Sequence, residues 1–235
     1  MTSSLYLIPV TLGETPIERV LPAYNVEVIR SLRHFIVEDI RSARRFLKRV
    51  DRTIDIDSLT FRELNKHSRP EEVAGYLAPL IAGESMGVIS EAGCPAVADP
   101  GADVVGMAQS RGLKVVPLVG PSSILLSVMA SGLGGQNFAF NGYLPIDAAE
   151  RTKKIKQLEQ RALGEGQTQV FIETPYRNNR LMQDLLHTLR TDTRLCVAAD
   201  ITCDDEYIRT LTVARWRSQA VPDLAKRPCI FVVGK

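Results

Sequence analysis

Ser85-Met86-Gly87-Val88-Ile89 leads, through Ser90, into Glu91-Ala92-Gly93-Cys94-Pro95-Ala96-Val97-Ala98-Asp99-Pro100-Gly101, and these residues decide the fold. The first five form a strand-length run. The eleven that follow hold two glycines and two prolines, which neither a helix nor a strand interior accommodates. Glycine lets a backbone pass close to a ligand, and proline fixes the path in advance. A strand that opens into such a loop suits an open α/β sheet, where ligands bind beyond the carboxyl ends of the strands.

Similar units lie on either side. Leu5-Tyr6-Leu7-Ile8 ends at Pro9, and His34-Phe35-Ile36-Val37 and Leu113-Lys114-Val115-Val116 are two more strand candidates. Between them, Ile40, Ala43, Phe46, Leu47 and Val50 recur at helical spacing, and a second helix is expected over 71–82. Alternating strands and helices predict βαβ units and a mostly parallel sheet. The second half has helical patterns at 147–163 and 177–189 and strand candidates at 169–172, 195–198, 207–213 and 229–233. A short turn at Cys203-Asp204-Asp205 joins neighbouring strands, so this sheet is expected to be mixed. The fold class is therefore α/β, with two α/β domains at 1–118 and 119–235. The boundary falls near 117–123, where Val119-Gly120-Pro121-Ser122 makes a turn and offers a serine N-cap to the next helix.

Composition removes several classes. The 235 residues are 45% hydrophobic and 24% charged, with a net charge of +2, as in ordinary globular chains. Four cysteines (Cys94, Cys196, Cys203, Cys229) and three histidines (His34, His67, His187) show no metal-ligand spacing, so no metal is expected. Sparse cysteine, no N-x-[ST] sequon and no secretory signal predict a reduced, cytoplasmic setting. No charge occurs from 115 to 146, but Pro117, Pro121 and Gly132-Leu133-Gly134-Gly135 divide that stretch into a strand, a turn and a buried helix, so no membrane span is expected. G-x-G-x-x-G after a strand, the phosphate-cradling G-x-x-x-x-G-K-[ST] loop and the G-x-S-x-G elbow are all missing.

Besides 91–101, three further loops are rich in Gly, Pro and small polar residues: Pro9-Val10-Thr11-Leu12-Gly13-Glu14, Gly120-Pro121-Ser122-Ser123 and Glu173-Thr174-Pro175-Tyr176-Arg177. Any one alone reads as a turn. Four at strand ends read as a binding edge.

Residues 91–101 resemble the D-A-G-T-P-x-I-S-D-P-G segment of the tetrapyrrole methylase superfamily. More narrowly, they resemble the bacterial enzymes that methylate a cytidine ribose 2′-hydroxyl in 16S ribosomal RNA. Glu38-Asp39-Ile40-Arg41 is similar to E-D-T-R of those enzymes, Gly120-Pro121-Ser122-Ser123 to P-G-P-S-A, Gly142-Tyr143-Leu144-Pro145 to G-F-L-P, and Glu173-Thr174-Pro175-Tyr176-Arg177 to E-S-P-H-R. The segments occur in the family's order and cover nearly the whole chain. The resemblance implies a homodimer that binds S-adenosylmethionine between two domains, largely through backbone atoms. By motif position it implies cofactor contacts at Pro9, Gly93, Cys94, Val97, Ser122, Ser123 and Thr174, with Ala199 and Pro228 on the less similar C-terminal strands. It implies an acceptor in ribosomal RNA or the small ribosomal subunit, met by Asp39, Arg41 and Arg177.

The sequence also departs from the family. The first loop lacks T-P-I-G-N, Glu91 stands for Asp, Cys94 for Thr and Tyr176 for His, and Ala199-Asp200-Ile201-Thr202-Cys203 replaces R-E-L-T-K. Transfer to a hydroxyl profits from a general base, for which Glu38 is the first candidate and Glu91 the second. Asp39, at the start of a helix, also reads as a cap. From Arg30 to Arg69 there are eleven basic and six acidic residues, and Arg151, Lys153, Lys154, Lys156 and Arg161 form a second basic cluster. Such patches suit a phosphate backbone, a carboxylate-rich tetrapyrrole or a solvated helix face. Two alternatives remain at this point: a tetrapyrrole or other small or protein acceptor, and a cofactor-binding protein without activity.

Overall fold

The computed structural model describes residues 3–65, 68 and 70–235. The chain divides into two compact units, Met1–Ser122 and Ser123–Lys235.

The first unit is built on β1 (Ser4–Ile8), β2 (His34–Val37), β3 (Thr60–Glu63), β4 (Met86–Ile89) and β5 (Lys114–Pro117), in the order β3-β2-β4-β1-β5. Every pairing is parallel. Alternation along the strands feeds two cores. Ile8, Phe35, Val37 and Ile89 enter one, with Leu32, Phe46 and Leu47. Leu5, Ile36, Met86 and Val88 enter the other, with Leu77, Leu80 and Val104. Both faces are covered, which explains why the central strands are continuous apolar runs. Gly87, in the middle of β4, has no room for a side chain: a Cβ there would lie 2.6 Å from Ile8 Cδ1 and 3.0 Å from Phe35 Cδ1.

The helix predicted from spacing forms at Ile40–Val50. It buries Ala43, Phe46 and Leu47 and leaves its arginines outside. Burying Phe46 and Leu47 contributes about 1.5–3 kcal/mol each. Asp39 caps the helix by accepting the Ser42 amide at 2.7 Å. The single helix expected over 71–82 is corrected to two short ones, Pro70–Val73 and Ala78–Ile81. Gly75 lies between them, and Pro79 occupies the first turn of the second, where its missing N–H costs nothing.

The second unit holds β6 (Phe138–Tyr143), β7 (Thr168–Ile172), β8 (Arg194–Ala199), β9 (Tyr207–Thr212) and β10 (Cys229–Gly234), in the order β6-β7-β10-β8-β9. Only the β6–β7 pair is parallel, so the sheet is mixed, as expected. Phe171 and Phe231 stack at 6.1 Å, and Trp216, fully buried, donates its indole N–H to the Leu195 carbonyl at 2.9 Å. Asp147 caps the Ala148–Gly164 helix. The uncharged stretch 115–146 folds as most of β5, the Ser123–Ser131 helix and β6. Among the described residues no helix is long and apolar enough to cross a membrane.

Candidate functional site

In a parallel sheet all strands deliver their following loops to one edge. The loops after β1, β4 and β5 meet there. Val10 and Gly93 exchange amide–carbonyl bonds of 2.9 and 3.1 Å. The Cys94 thiol donates to the Pro121 carbonyl at 3.4 Å. Gly120 lies against Pro9 so closely that a Cβ would collide with the proline ring. Gly93 has φ +71°, the left-handed region, and a Cβ on it would stand 3.2 Å from Leu12 Cδ2. Pro9, Gly93 and Cys94 thus come together beside Pro121, one residue before Ser122. Val97 lies further along the same loop, half-exposed, with its amide on the Cys94 carbonyl at 3.3 Å. Its two neighbours, Ala96 and Ala98, have φ of 64° and 62°.

Carboxylates collect at the same edge. Glu38 follows β2, and the Glu91 backbone close to its carboxylate favours the charged form. Burial first, then the negative charges of Asp99, Glu91 and Asp39, push its pKa above the ordinary glutamate value. Asp99 is pushed up by burial and by Glu91, against the opposing effect of the Ser90 hydroxyl. Asp39 goes the other way: the Ser42 amide and hydroxyl hold it low, and it is exposed. Asp99 is the member that sequence reasoning passed over, although an acid among Gly, Pro and Ala was its signal. Burial and the charge of Asp99 raise the Cys94 thiol, which disfavours the thiolate a nucleophile would need.

In the second unit β7 and β8 both run antiparallel to β10, so their carboxyl ends share an edge with its start. Thr174, Ala199 and Pro228 lie along that edge. Asp200 donates its amide to Pro228 O at 3.0 Å, Lys226 does the same to Pro175 O at 3.0 Å, and Asn178 Nδ2 reaches Arg227 O at 2.7 Å. Asp200 and Arg227 form an ion pair. Ser123 opens the Ser123–Ser131 helix. Arg177 Nη2 pairs with Glu173 Oε1 at 2.6 Å, and that same oxygen takes the Thr174 amide. Glu173 is buried while Arg177 is half-exposed. A pairing of Arg177 with Glu173 is one reading the sequence offers for this arginine; the burial of Glu173 is not.

Backbone strain follows these loops. Among the described residues, those other than glycine with positive φ are Ala96, Ala98, Asp200, Thr202 and Lys226. The first two flank Val97, and the others lie within three residues of Ala199 or Pro228. Strain of about 1–3 kcal/mol per residue persists where surrounding structure enforces it, commonly at ligand sites.

The basic stretch is not uniform. Arg30 pairs with Asp51 at 2.6 Å, and Arg33 donates to the Arg30 and Leu32 carbonyls. Arg41, Arg44 and Arg45 line an open groove with Asp39 and Glu63. Lys66, His67 and Arg69 lie outside the described residues. In the second cluster Arg151 is buried against Asp184, whereas Lys153, Lys156 and Arg161 are exposed. Among the described residues no group of three His, Cys, Asp or Glu could hold a metal ion.

A family model described as Tetrapyrrole (Corrin/Porphyrin) Methylases matches residues 23–216. A protein of Vibrio cholerae named ribosomal RNA small subunit methyltransferase I is 29% identical over 210 residues, covering 89% of this chain and 69% of its own length. A protein of that name from Pseudomonas aeruginosa is 29% identical over 171 residues, covering 72% of this chain and 59% of its own. The chain thus spans about two thirds of these relatives. The crystal structure of the methyltransferase CobJ superposes with a TM-score of 0.63 at 16% identity, over 100% of this chain and 95% of that one, which shows a shared fold.

Proposed function

Because this chain belongs to the tetrapyrrole methylases, a family of methyltransferases, we propose that it transfers the methyl group of S-adenosylmethionine to the ribose 2′-hydroxyl of a cytidine in small-subunit ribosomal RNA. The observation that carries the acceptor is Glu38: a carboxylate of raised pKa at the sheet's carboxyl edge, followed two residues later by an arginine-lined helix. The names of the relatives from Vibrio cholerae and Pseudomonas aeruginosa agree with an RNA acceptor.

The residues fit the methyl donor. Gly93 and Gly120 bring three loops together with no side chain between them, which leaves backbone groups to bind. The carboxylates of Glu38, Glu91 and Asp99 supply a negative edge that suits a cation. As the resemblance implies, Pro9, Gly93, Cys94, Val97, Ser122, Ser123, Thr174, Ala199 and Pro228 are the residues that would hold it. When bound, S-adenosylmethionine supplies a methyl carbon on positively charged sulfur, already a strong electrophile.

The protein's own part is placement and proton transfer. Glu38 would take the 2′-hydroxyl proton as the ribose oxygen accepts the methyl group, with S-adenosylhomocysteine as the leaving group. Its raised pKa makes it a stronger base than a free glutamate. Glu91 is the second candidate for the base. Arg41 and Arg177 hold phosphates, and Asp39 aids them by fixing the start of the Arg41 helix. A homodimer is part of the same proposal. The deciding experiment offers the enzyme labelled S-adenosylmethionine together with purified small ribosomal subunits and, separately, a tetrapyrrole. Label in RNA supports the proposal. Label in the tetrapyrrole alone replaces it, and label in neither leaves a binding protein.

A further inference from the structure

Resting on the RNA acceptor above, we propose that the outer face of the Ile40–Val50 helix is a phosphate track along which single-stranded RNA lies as it leaves the catalytic edge. The helix carries Arg41, Arg44, Arg45, Lys48 and Arg49 and no acid. It borders two open grooves. The near one, beside Glu38, is lined by Arg41, Arg44 and Arg45 against Asp39 and Glu63. The far one is lined by Arg45, Lys48, Arg49 and Arg52 against Glu18 alone. Arg45 lines both, so the grooves adjoin at that side chain. Eleven residues at 1.5 Å rise make the track about 16 Å long, enough for more than one phosphate.

The side chains are prepared for this task. Arg44 lies over the Phe61 ring at 5.6 Å, which holds its planar fork on the surface. Arg49 donates to the Thr15 carbonyl at 2.8 Å and reaches the Thr11 hydroxyl at 3.5 Å, so it ties the first loop to the helix as the groove's wall. Lys48 gives one of its three protons to the Arg52 carbonyl at 3.0 Å and keeps two. Arg52 makes no side-chain hydrogen bond among the described residues. The excess of positive charge grows away from the catalytic edge, from three against two in the near groove to four against one in the far groove. A compact polycarboxylate at the edge has no use for the far groove. A polyanionic chain that continues past its reacting nucleotide does.

The test replaces the far-groove pair, Lys48→Gln with Arg52→Gln, both exposed, and keeps Arg45→Gln as a second variant that touches both grooves. The probe is a fluorescently labelled single-stranded oligoribonucleotide, titrated at a series of salt concentrations. Single-stranded RNA releases about 0.7 counterion per phosphate neutralised, so the log–log slope should fall by roughly 1.4 in the double variant. Thermal melting confirms folding, and affinity for S-adenosylhomocysteine should not change. An unchanged slope in the double variant overturns the track, while methylation of RNA by the native enzyme would still support the acceptor. Polyglutamate binding as tightly as RNA also overturns it, in favour of an acidic protein. A native enzyme that neither binds nor methylates RNA overturns both.

Discussion

Gly93→Val probes the binding edge where three loops meet. At φ +71° a residue with a Cβ costs about 1–2 kcal/mol, and a β-branched one more. The new Cβ would lie 3.2 Å from Leu12 Cδ2 and 3.5 Å from Pro121 O, so the leucine must yield or the loop must shift. A shift breaks the two Val10–Gly93 bonds, each contributing about 1 kcal/mol. The total is about 3–4 kcal/mol, below the usual 5–15 kcal/mol of a folded domain, so the protein should remain folded. Its melting temperature should drop by about 5–15 °C. Cofactor binding should fare worse, because the backbone that makes the contact has moved. The assay is thermal shift with and without S-adenosylhomocysteine. At a hundred times Kd the native protein gains about 2.7 kcal/mol, and the variant should gain almost nothing. Cys94→Thr is the control: the hydroxyl can replace the thiol as donor to Pro121 O, and the ligand shift should persist. A folded Gly93→Val protein with the native ligand shift would refute the reasoning.

The remaining predictions concern charge. Glu38 must be ionised to act as a base and its pKa is raised, so the rate should rise with pH through a value above 4.5; Asp99→Asn removes one of the causes and should move that limb of the kcat/KM profile toward lower pH. Arg41→Ala should weaken RNA binding and lower its salt dependence by about one phosphate, with cofactor affinity unchanged. Arg177→Ala should do the same and in addition lower stability by about 1–3 kcal/mol in urea melts, because it leaves the buried Glu173 carboxylate without its cation.

The parts of the fold that were legible in the sequence are those where local pattern and packing agree. Ile40–Val50 has an N-cap, helical spacing and a single apolar stripe, and it forms at the expected residues. Asp147 and the pattern that follows it gave the Ala148–Gly164 helix within a residue at each end. Two edge strands were not foreseen. β3 is Thr-Phe-Arg-Glu, four residues with a charged half and no apolar run. β6 contains Asn141-Gly142, which reads as a turn; Gly142 takes φ +62° and the register slips between Phe140 and Tyr143, so the strand bulges instead of ending. At the site, the loops were visible because Gly and Pro mark them. Asp99 was not singled out, because its proximity to Glu38 depends on β2 and β4 being neighbours in the sheet, which no local pattern encodes. The pairing of Glu173 with Arg177 was legible as an i,i+4 contact, but the burial of Glu173 was not.

Methyl transfer by the native enzyme and by Glu38→Gln, measured side by side in single turnovers with labelled S-adenosylmethionine and purified small ribosomal subunits, tests the central claim most directly. Glutamine keeps the size of the side chain and a hydrogen-bonding oxygen, but cannot take a proton at neutral pH. The native enzyme should place label in a 2′-O-methylated cytidine, identified after nuclease digestion, and the variant should be slower by at least about a hundredfold, with cofactor and RNA affinity nearly unchanged. Near-native turnover by Glu38→Gln, or label on a base rather than on the ribose, would contradict it.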